Sequence, residues 1–495
     1  SEETKMSIKV TNQSITINAI LNMINTVPSM AFSLLTYPYA SRVLQVENLG
    51  KVNYTASIVS YFVLFASLGF STYAVREGSK LKTNNEYLNK FASQIFSFHF
   101  ITSLLAYILL IVTLLISADI REYWVLIAIQ SIAIINNWLS VNWINIIFED
   151  YLFITIRSIV VQLLSIAMLY IFVKDSNDYY IYAGINVLSN FIVCILNFLH
   201  VGKYCQLKLT RKVNIKKHLR PVLVFFSNSL AVSIYLNSDT TMLGWMIGNY
   251  QVGLYTVAVK IYTTIRTVIA AAYNVAVARM ARYSAEDNLV NFKKLLNKII
   301  NIVIFISIPT TMGLFCLSDN IIILLSGESY LEAGDSLRIL AFAFLFAILG
   351  GVLAYCVNIP LKKEKRVLSA TIISAVENIV LNVFIIPRYG IEGTAFTTLI
   401  AEMTVFLVLL FGMKKEWHLF EYKKIFVNIL KCMCGVILFS PFKNMVCLFA
   451  DSNVKIILVY FTGAVVIYFI IELILRNQTL IDLFNGIMSK KITTR

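Results

Sequence analysis

The sequence has few charged residues and no loop long enough to form a soluble domain. Only 14% of its 495 residues are Asp, Glu, Lys or Arg, whereas 58% are hydrophobic, and the mean hydropathy is +0.75. Soluble globular proteins carry about 25% charged residues. This composition excludes an ordinary soluble protein and predicts a polytopic, all-α membrane protein.

The chain also lacks the short motifs of several enzyme classes. It contains no Walker A glycine-lysine motif, no zinc cluster and no Ser-His-Asp constellation. Seven cysteines are scattered in or beside apolar segments, and Cys432 and Cys434 do not have a zinc or haem spacing. Neither a nucleotide-driven pump nor a hydrolase is supported, and we expect no metal and no cofactor.

Acidic residues are scarce relative to basic ones, with 27 Asp and Glu against 42 Lys and Arg, which gives a formal net charge of +15. In a soluble domain this balance would suggest a nucleic-acid partner. Here the basic residues lie between hydrophobic spans, where they set the membrane topology instead. We therefore expect a lipid bilayer and no nucleic acid among the partners.

Apolar runs of about 20 residues, separated by turns or charges, predict fourteen transmembrane helices. They are placed near 14–41, 50–75, 91–117, 123–147, 153–173, 179–202, 221–247, 252–278, 299–317, 338–359, 367–386, 392–413, 425–442 and 454–475.

The charges of the connecting segments are strongly asymmetric. If the N-terminus is cytoplasmic, the inside segments hold 31 of the 42 Lys and Arg residues and the outside loops hold eight. The other three, Lys260, Arg266 and Lys431, lie inside predicted spans. The positive-inside rule then predicts an even number of helices with both termini in the cytoplasm.

An internal repeat divides the chain. Residues 50–56, at the start of the second predicted helix, match residues 253–258 at the start of the eighth, and Gly184 corresponds to Gly393. The basic segment 203–220 separates the copies. We predict an N-lobe of helices 1–6 (residues 1–205), a C-lobe of helices 7–12 (206–415), and helices 13 and 14 with a cytoplasmic tail (416–495).

The eighth predicted helix places a cation among phenols near the membrane centre. Tyr255, Tyr262, Arg266 and Tyr273 fall on one helical face. Arginine offers a forked donor to phosphate, and tyrosine combines a ring face for a sugar with a hydroxyl. This pattern suits a phosphorylated sugar, although pairing of Arg266 with a neighbouring acid is the alternative.

Lys260 and Asp239 lie at matching depths on the eighth and seventh predicted helices, and Lys260 points away from the Arg266 face. Two interpretations are open: the residues form an ion pair, or they contact the substrate directly.

Polar residues recur at spacings of three and four on several predicted helices. For single residues helix-helix hydrogen bonding explains them, but long stripes favour a water-filled cavity. Arg42 and Arg76 lie at helix ends, where snorkelling accounts for them. The candidate cavity residues beyond those above are Asn18, Asn22, Asn25, Asn53, Asn228, Arg42 and Arg76.

Two acids lie at similar depth in the second lobe, Glu377 and Glu402. They either pair with Arg266 or, together with Asp239, bind a coupling proton or sodium ion. The residue pattern does not separate these options.

Several local motifs occur in the order of a known family. They are Tyr37 to Leu44, Gly50 with Tyr54, Leu68 to Phe70, Arg76-Glu77, Asp239, Leu243-Gly244, Val252 to Tyr255, and Tyr389 to Ala395. Together they resemble bacterial polysaccharide flippases of the Wzx type. The resemblance implies the fold of the multidrug/oligosaccharidyl-lipid/polysaccharide exporter (MOP) superfamily, with two lobes in a V around a central cavity.

The same resemblance implies a function. The substrate would be an undecaprenyl-pyrophosphate-linked oligosaccharide, flipped across the bacterial cytoplasmic membrane by alternating access, and further partners would be a polysaccharide polymerase and export machinery. A drug or cation exporter of the same superfamily is the first alternative, although it expects about twelve helices and an acidic first-lobe cavity. A membrane-embedded polymerase or glycosyltransferase is the second, although the outside loops are short and arginine-poor.

Overall fold

The computed structural model describes residues 15–483. Side chains are described for all of these except residues 15–31, 33, 34, 217, 224, 225, 228, 272, 275 and 278. Within the described residues all regular structure is helical. Eleven helices in this part of the chain are long and apolar enough to cross a membrane. The prediction of an all-α, multi-pass membrane protein is therefore confirmed.

The longer helices are numbered in chain order. They are α1 (Ile15–Ser67), α2 (Phe70–Gly78), α3 (Asn85–Ile116), α4 (Ala118–Arg121), α5 (Trp124–Leu139), α6 (Asn142–Ile147), α7 (Tyr151–Phe172), α8 (Tyr179–Val201), α9 (Ile215–Met246), α10 (Asn249–Ala285), α11 (Leu289–Ser326), α12 (Ala333–Val352), α13 (Glu364–Gly412), α14 (Tyr422–Val436), α15 (Phe439–Phe449) and α16 (Asn453–Ile474). A π-helical turn (Leu353–Asn358) extends α12.

The chain divides into two compact units, the first ending at Thr241 and the second beginning at Met242. In the first unit, α1 packs against α3, α5 and α7, and α8 packs against α5 and α7. In the second, α12 contacts α10, α11 and α13, while α11 also contacts α14 and α16. The lobes expected at residues 1–205 and 206–415 stay a prediction.

Short polar side chains begin several of these helices. Asn84 accepts a hydrogen bond from the backbone N–H of Tyr87 before α3, and Ser452 accepts one from Lys455 before α16. Such caps satisfy N–H groups that have no partner within the helix. Side chains of the loops thus accept hydrogen bonds from backbone N–H groups at the helix ends, which lipid could not do.

The first two predicted helices form one helical run, α1, which is broken at Gln45. There the backbone has φ 64° and ψ 171°. Gly248, just before α10, has a similar conformation with φ 109° and ψ 176°. Each break lies five residues before a glycine of the repeated motif, Gly50 or Gly253. Gly50 and Gly253 are thus helical, and both breaks fall in the gaps between predicted spans, 42–49 and 248–251.

The eleventh and twelfth predicted helices likewise form one run, α13, broken at Gly390 with φ 53° and ψ −132°. Pro387, three residues earlier, lacks an N–H for the helix, and Gly390 adopts the positive φ without a Cβ clash. This break falls in the gap between the two predicted spans.

The outer surfaces of the units are apolar. On α3, Leu104, Leu105 and Ile108 are each about half exposed, and on α16 Leu458 and Phe461 are more so. Apolar side chains that the protein leaves uncovered along whole helices are what a lipid environment requires. This pattern agrees with the eleven candidate spans.

Candidate functional site

The second unit contains an ion pair inside its helical core. The Arg266 guanidinium on α10 lies 2.7 Å (Nη1 to Oε1) from the Glu402 carboxylate on α13. The Glu402 side chain is only 4% exposed, whereas that of Arg266 is 32% exposed. Of the two interpretations of Arg266, pairing with a neighbouring acid is the one seen in this conformation.

Tyr262 completes this cluster. Its hydroxyl donates a hydrogen bond to Glu402 Oε1 at 2.9 Å and accepts one from Arg266 Nη1 at 3.2 Å. Tyr262 and Arg266 are four residues apart, so they share a face of α10, and the guanidinium carbon lies 6.0 Å from the ring centroid. The side chains of Tyr262, Arg266 and Glu402 are therefore all hydrogen-bonded to one another.

A charge in an apolar environment is costly, and an opposite charge with hydrogen bonds offsets much of that cost. Glu402 receives both a guanidinium and a phenol, so its buried carboxylate is well compensated. Arg266 remains about one-third exposed. The cluster consequently holds an arginine in place without enclosing it.

The other two tyrosines on this helical face also pack against neighbouring helices. The Tyr255 hydroxyl is 3.0 Å from Thr398 Oγ1 on α13, and the Tyr273 ring stacks with Tyr355 at 6.3 Å between centroids. Tyr255, Tyr262 and Tyr273 are each less than 5% exposed. Their contact with a substrate sugar stays a prediction.

A hydrogen-bonded network joins the two halves of α13. Ser374 Oγ donates to the carbonyl of Ala401 at 2.8 Å, and Thr397 Oγ1 donates to Asn382, whose amide donates to Asn378. All four polar side chains are buried. This network was not predicted, although Ser374, Asn378 and Asn382 recur every four residues in an apolar run.

Glu377 lies outside the Arg266 cluster. It is half-buried, and among the described residues its Oε2 atom is buried without a hydrogen-bond partner. Of the two acids predicted to pair with Arg266, the structure selects Glu402. The predicted coupling roles of Glu377 and Glu402 stay predictions.

Several other predicted residues lie in or near α1 and α2. Asn53 is half-buried, and Arg42 and Arg76 are exposed near helix ends, as snorkelling would require. Ser57, also in α1, donates to the carbonyl of Tyr54 and accepts a hydrogen bond from Thr241 Oγ1 of α9 at 2.9 Å.

Asp239 is buried in α9, and Lys260 is half-buried in α10. Their predicted ion pair, their substrate contacts and a coupling role for Asp239 all stay predictions. The side chains of Asn18, Asn22, Asn25 and Asn228 lie outside the described residues.

The first unit contains a buried cation within residues 148–157, a segment that the loop charges assign to the inside. Arg157 is 7% exposed in α7, and its Nη1 donates a short hydrogen bond to Asn197 Oδ1 on α8. Asn145 Nδ2 donates to the same oxygen at 3.0 Å. Among the described residues no carboxylate lies within salt-bridge distance of Arg157, and its Nε atom has no hydrogen-bond partner.

A bonded carboxylate, Asp150, lies seven residues before Arg157 in the sequence, between α6 and α7. Asp150 Oδ2 is 2.7 Å from His200 Nε2 and accepts a hydrogen bond from the Tyr204 hydroxyl at 2.6 Å. Partial burial raises the pKa of Asp150, but these hydrogen bonds outweigh it and hold the pKa below its ordinary value. Asp150 is therefore ionised near neutral pH.

Within residues 15–483, no group of three or more His, Cys, Asp or Glu side chains is arranged to hold a metal ion.

Comparison with known proteins places these features in context. Residues 15–284 match the family model described as polysaccharide biosynthesis protein, and residues 225–384 match the MatE family model. The capsular polysaccharide biosynthesis protein CapF of Staphylococcus aureus is 24% identical over 77% of this chain and 92% of its own length. A putative O-antigen transporter of Shigella dysenteriae is 22% identical over 77% of this chain and 96% of its own.

Solved structures show the same fold. The lipid II flippase MurJ, in an inward closed conformation, matches 94% of this chain and 99% of its own with a TM-score of 0.74 and 17% identity. An inward-facing multidrug resistance MATE transporter of the MOP superfamily matches 81% of this chain and 98% of its own, with a TM-score of 0.60 and 16% identity. At these identities the likeness concerns the fold.

Proposed function

This chain belongs to the polysaccharide biosynthesis protein family, as a member of the Wzx type, and on that premise we propose that it flips undecaprenyl-pyrophosphate-linked oligosaccharide repeat units. The units move from the inner to the outer leaflet of the bacterial cytoplasmic membrane. The protein acts as a transporter and not as an enzyme. CapF and the O-antigen transporter, which share most of its length, support the substrate class.

The Arg266–Glu402 pair is the observation that carries this proposal. A pyrophosphate-linked sugar brings several negative charges into an apolar layer, where they need a cation. Arg266 lies within a membrane span, is held at 2.7 Å from Glu402, and stays one-third exposed. Its planar guanidinium binds phosphate in a forked geometry.

Glu402 then acts as the resting counter-ion of Arg266. The substrate pyrophosphate then competes with the buried Glu402 carboxylate for the Arg266 guanidinium. The positive charge that the pyrophosphate needs is thus already present in the span before the substrate binds. Lys260, half-buried one and a half turns earlier on α10, supplies a second positive charge within the span. The tyrosines of this face hold Arg266 and α13 in position.

Ion coupling acts through the same pair. Protonation of Glu402, or binding of a sodium ion to its carboxylate, would weaken the Arg266–Glu402 ion pair. The weaker pair would shift the protein toward the substrate-binding state. Glu377, which has a buried carboxylate oxygen without a partner among the described residues, and Asp239 are the other candidates for this role.

We propose fourteen spans in two six-helix lobes around a central cavity, with two further helices. Two of the eleven candidate spans contain breaks at Gln45 and Gly390, so each divides into two crossings. The helix α9 (Ile215–Met246) adds one more crossing. An even count agrees with cytoplasmic termini and with alternating access by rocking of two repeats.

The direct test uses the full chain in proteoliposomes containing a defined lipid-linked oligosaccharide. Transport to the opposite leaflet is measured with a membrane-impermeant probe, under imposed proton or sodium gradients. Arg266→Ala should lower the rate at least about tenfold, since it removes charge-assisted hydrogen bonds to phosphate. Arg279→Ala, an exposed arginine of the same helix, should transport normally.

Cells separate the remaining alternatives. Loss of a flippase accumulates single lipid-linked units on the inner leaflet, whereas loss of a polymerase leaves them outside and unpolymerised. A folded Arg266→Ala protein that exports at the wild-type rate would contradict the role of Arg266. Export of hydrophobic cations without movement of lipid-linked sugar would instead identify a drug exporter.

A further inference from the structure

The second unit contains a basic cavity remote in sequence from Arg266. It has a volume of about 860 Å³ and is formed by the first turns of α11, by α14, and by residues 477–483 after α16. Five lysines line it, with only two acids. The volume lies within the range of small-molecule sites, about 300–1,000 Å³.

Most of this positive charge is not neutralised by nearby carboxylates. Lys424 Nζ pairs with Glu421 at 2.7 Å, and Asp482 accepts a hydrogen bond from the Gln478 amide. Among the described residues, Lys294, Lys298 and Lys423 have no carboxylate within salt-bridge distance. Three lysines therefore give the cavity a net positive charge.

The fifth lysine and the floor of the cavity are fixed by hydrogen bonds. Lys431 Nζ donates to the carbonyl of Arg476 at 3.0 Å. Asn428 Oδ1 accepts from Asn477 Nδ2 at 2.9 Å, and Thr479 is the third buried polar residue of the floor. Asn477 Nδ2 also donates to Glu472 Oε2 at 2.6 Å, and Glu472 does not line the cavity. The floor is thus polar and held rigidly by its own bonds.

One wall of the cavity continues into an apolar surface. Val427 lines the cavity and is 46% exposed, and Phe426 and Leu430 on the same helix are 61% and 49% exposed. Four of the five lysines lie in segments that the loop charges assign to the cytoplasmic side, and Lys431 lies six residues into the predicted span that follows. A ligand there can place a charged group among the lysines and a hydrocarbon chain along α14.

We propose that this cavity binds a phosphate-bearing anion, supplied by the headgroup of an anionic membrane lipid. Basic pockets between helices at the cytoplasmic interface suit lipid phosphates, because lysine neutralises the charge while the acyl chains stay in the bilayer. By sequence, residues 484–495 contain three further cations and no acid, so they offer no counter-charge. The site is separate from the Arg266 cluster and does not depend on the transported substrate.

The test measures binding to the purified full chain in detergent. The probe is phosphatidylglycerol, with phosphatidylcholine of the same acyl chains as the zwitterionic comparison and inorganic pyrophosphate as the soluble one. The variant Lys298→Gln/Lys423→Gln removes two cavity charges. The variant Lys208→Gln/Lys212→Gln removes two exposed lysines of the segment 203–220, outside the cavity.

We expect preferential binding of phosphatidylglycerol, weakened roughly five- to thirtyfold in the cavity variant and by less than about twofold in the control variant. If pyrophosphate binds weakly compared with phosphatidylglycerol, the site recognises a lipid. If pyrophosphate binds well and this binding is lost in the cavity variant, the site recognises the phosphate group alone. Equal losses in both variants, or no loss in a cavity variant that unfolds at the wild-type temperature, would overturn the proposal. Transport is not part of this readout, so its outcome is independent of the proposed flippase activity.

Discussion

Gln45 and Gly248, in two different parts of the chain, both adopt a positive φ with an extended ψ. The angles φ and ψ are 64° and 171° at Gln45, and 109° and 176° at Gly248. Each residue lies five positions before the glycine of a repeated motif. This region of φ and ψ suits glycine almost alone, since a Cβ atom clashes there, at a cost of about 1–3 kcal/mol. The first copy of the repeat thus has this backbone break at a glutamine, Gln45, where glycine would be the residue best suited to the conformation.

The replacement Gln45→Gly should therefore stabilise the protein by about 1 kcal/mol, by removing that strain. The reciprocal Gly248→Ala should destabilise it by a similar amount, although an added Cβ would meet no atom within 4 Å. Thermal unfolding in detergent measures both effects. Gln251→Gly, within the regular part of α10, serves as the control and should lower stability. A loss of stability in Gln45→Gly as well would contradict the strain at Gln45.

Removal of the Glu402 carboxylate should be costly. Glu402→Gln leaves Arg266 without its buried counter-ion, so we expect a loss of about 2 kcal/mol or more. Arg266→Ala/Glu402→Gln should recover part of that loss, because no uncompensated charge then remains. The exposed Arg282–Glu286 pair of α10 provides the control, and Glu286→Gln should leave the unfolding midpoint unchanged. Equal shifts in Glu402→Gln and Glu286→Gln would exclude a special role for the buried pair.

Stability should fall in acid partly through Asp150. Its pKa in the folded protein is below the ordinary value near 4, so ionised Asp150 contributes stability that is complete above about pH 5. That contribution is lost as the pH falls through the folded-state pKa. Asp150→Asn should show a shallower decline of the unfolding temperature between about pH 5 and pH 2. Parallel pH profiles for the two proteins would show that Asp150 does not contribute.

Arg157 should depend on its amide partner. Asn197→Ala removes the oxygen that accepts from a buried guanidinium, so we expect a loss of about 2–3 kcal/mol. Arg157→Met, which removes the charge and keeps the bulk, should cost less. Asn190→Ala, at an exposed position of the same helix α8, should change stability by less than about 0.5 kcal/mol. The opposite order, with Arg157→Met the more destabilising, would indicate that Arg157 itself is the stabilising group.

Close packing of α14 against α16 should depend on Gly435. A Cβ at this position would lie 2.7 Å from the Tyr468 ring and 2.8 Å from Glu472 Oε1. Gly435→Ala should therefore destabilise by about 1–3 kcal/mol through overpacking. Gly313, in α11, has no atom within 4 Å of the added carbon, and Gly313→Ala should not destabilise. Equal stability of both variants, measured by thermal unfolding, would mean that the helices separate to accommodate the methyl group.

Much of the fold was predictable because its signals are local. Apolar runs mark the spans, and the break at Gly390 falls in the gap that Pro387 and Gly390 suggest. The break at Gln45 also falls in a predicted gap, between residues 41 and 50, although nothing in the identity of Gln45 indicates a positive φ. The burial of Arg157 was missed, because near a helix end composition does not distinguish a snorkelling arginine from a buried one.

The candidate site was predicted only in part. Helical phase placed Tyr262 and Arg266 on one face of α10, and the structure brings them together. Helical phase did not show whether Glu377 or Glu402 would pair with Arg266, because both acids lie at similar depth on neighbouring segments. The α13 network and the lysine cavity were missed, since their residues read as helix-packing groups and as topology signals.

The sequence by itself determined that this is a multi-pass helical membrane protein of the Wzx type, because hydropathy, loop charge and short motifs are properties of contiguous segments. Only the tertiary structure decided which charges meet. Arg266 and Glu402 come from helices far apart in the chain, and the lysines of the cavity come from two separate helices, α11 and α14. Helical periodicity orients a side chain about its own axis, but which helix lies opposite depends on how whole surfaces pack.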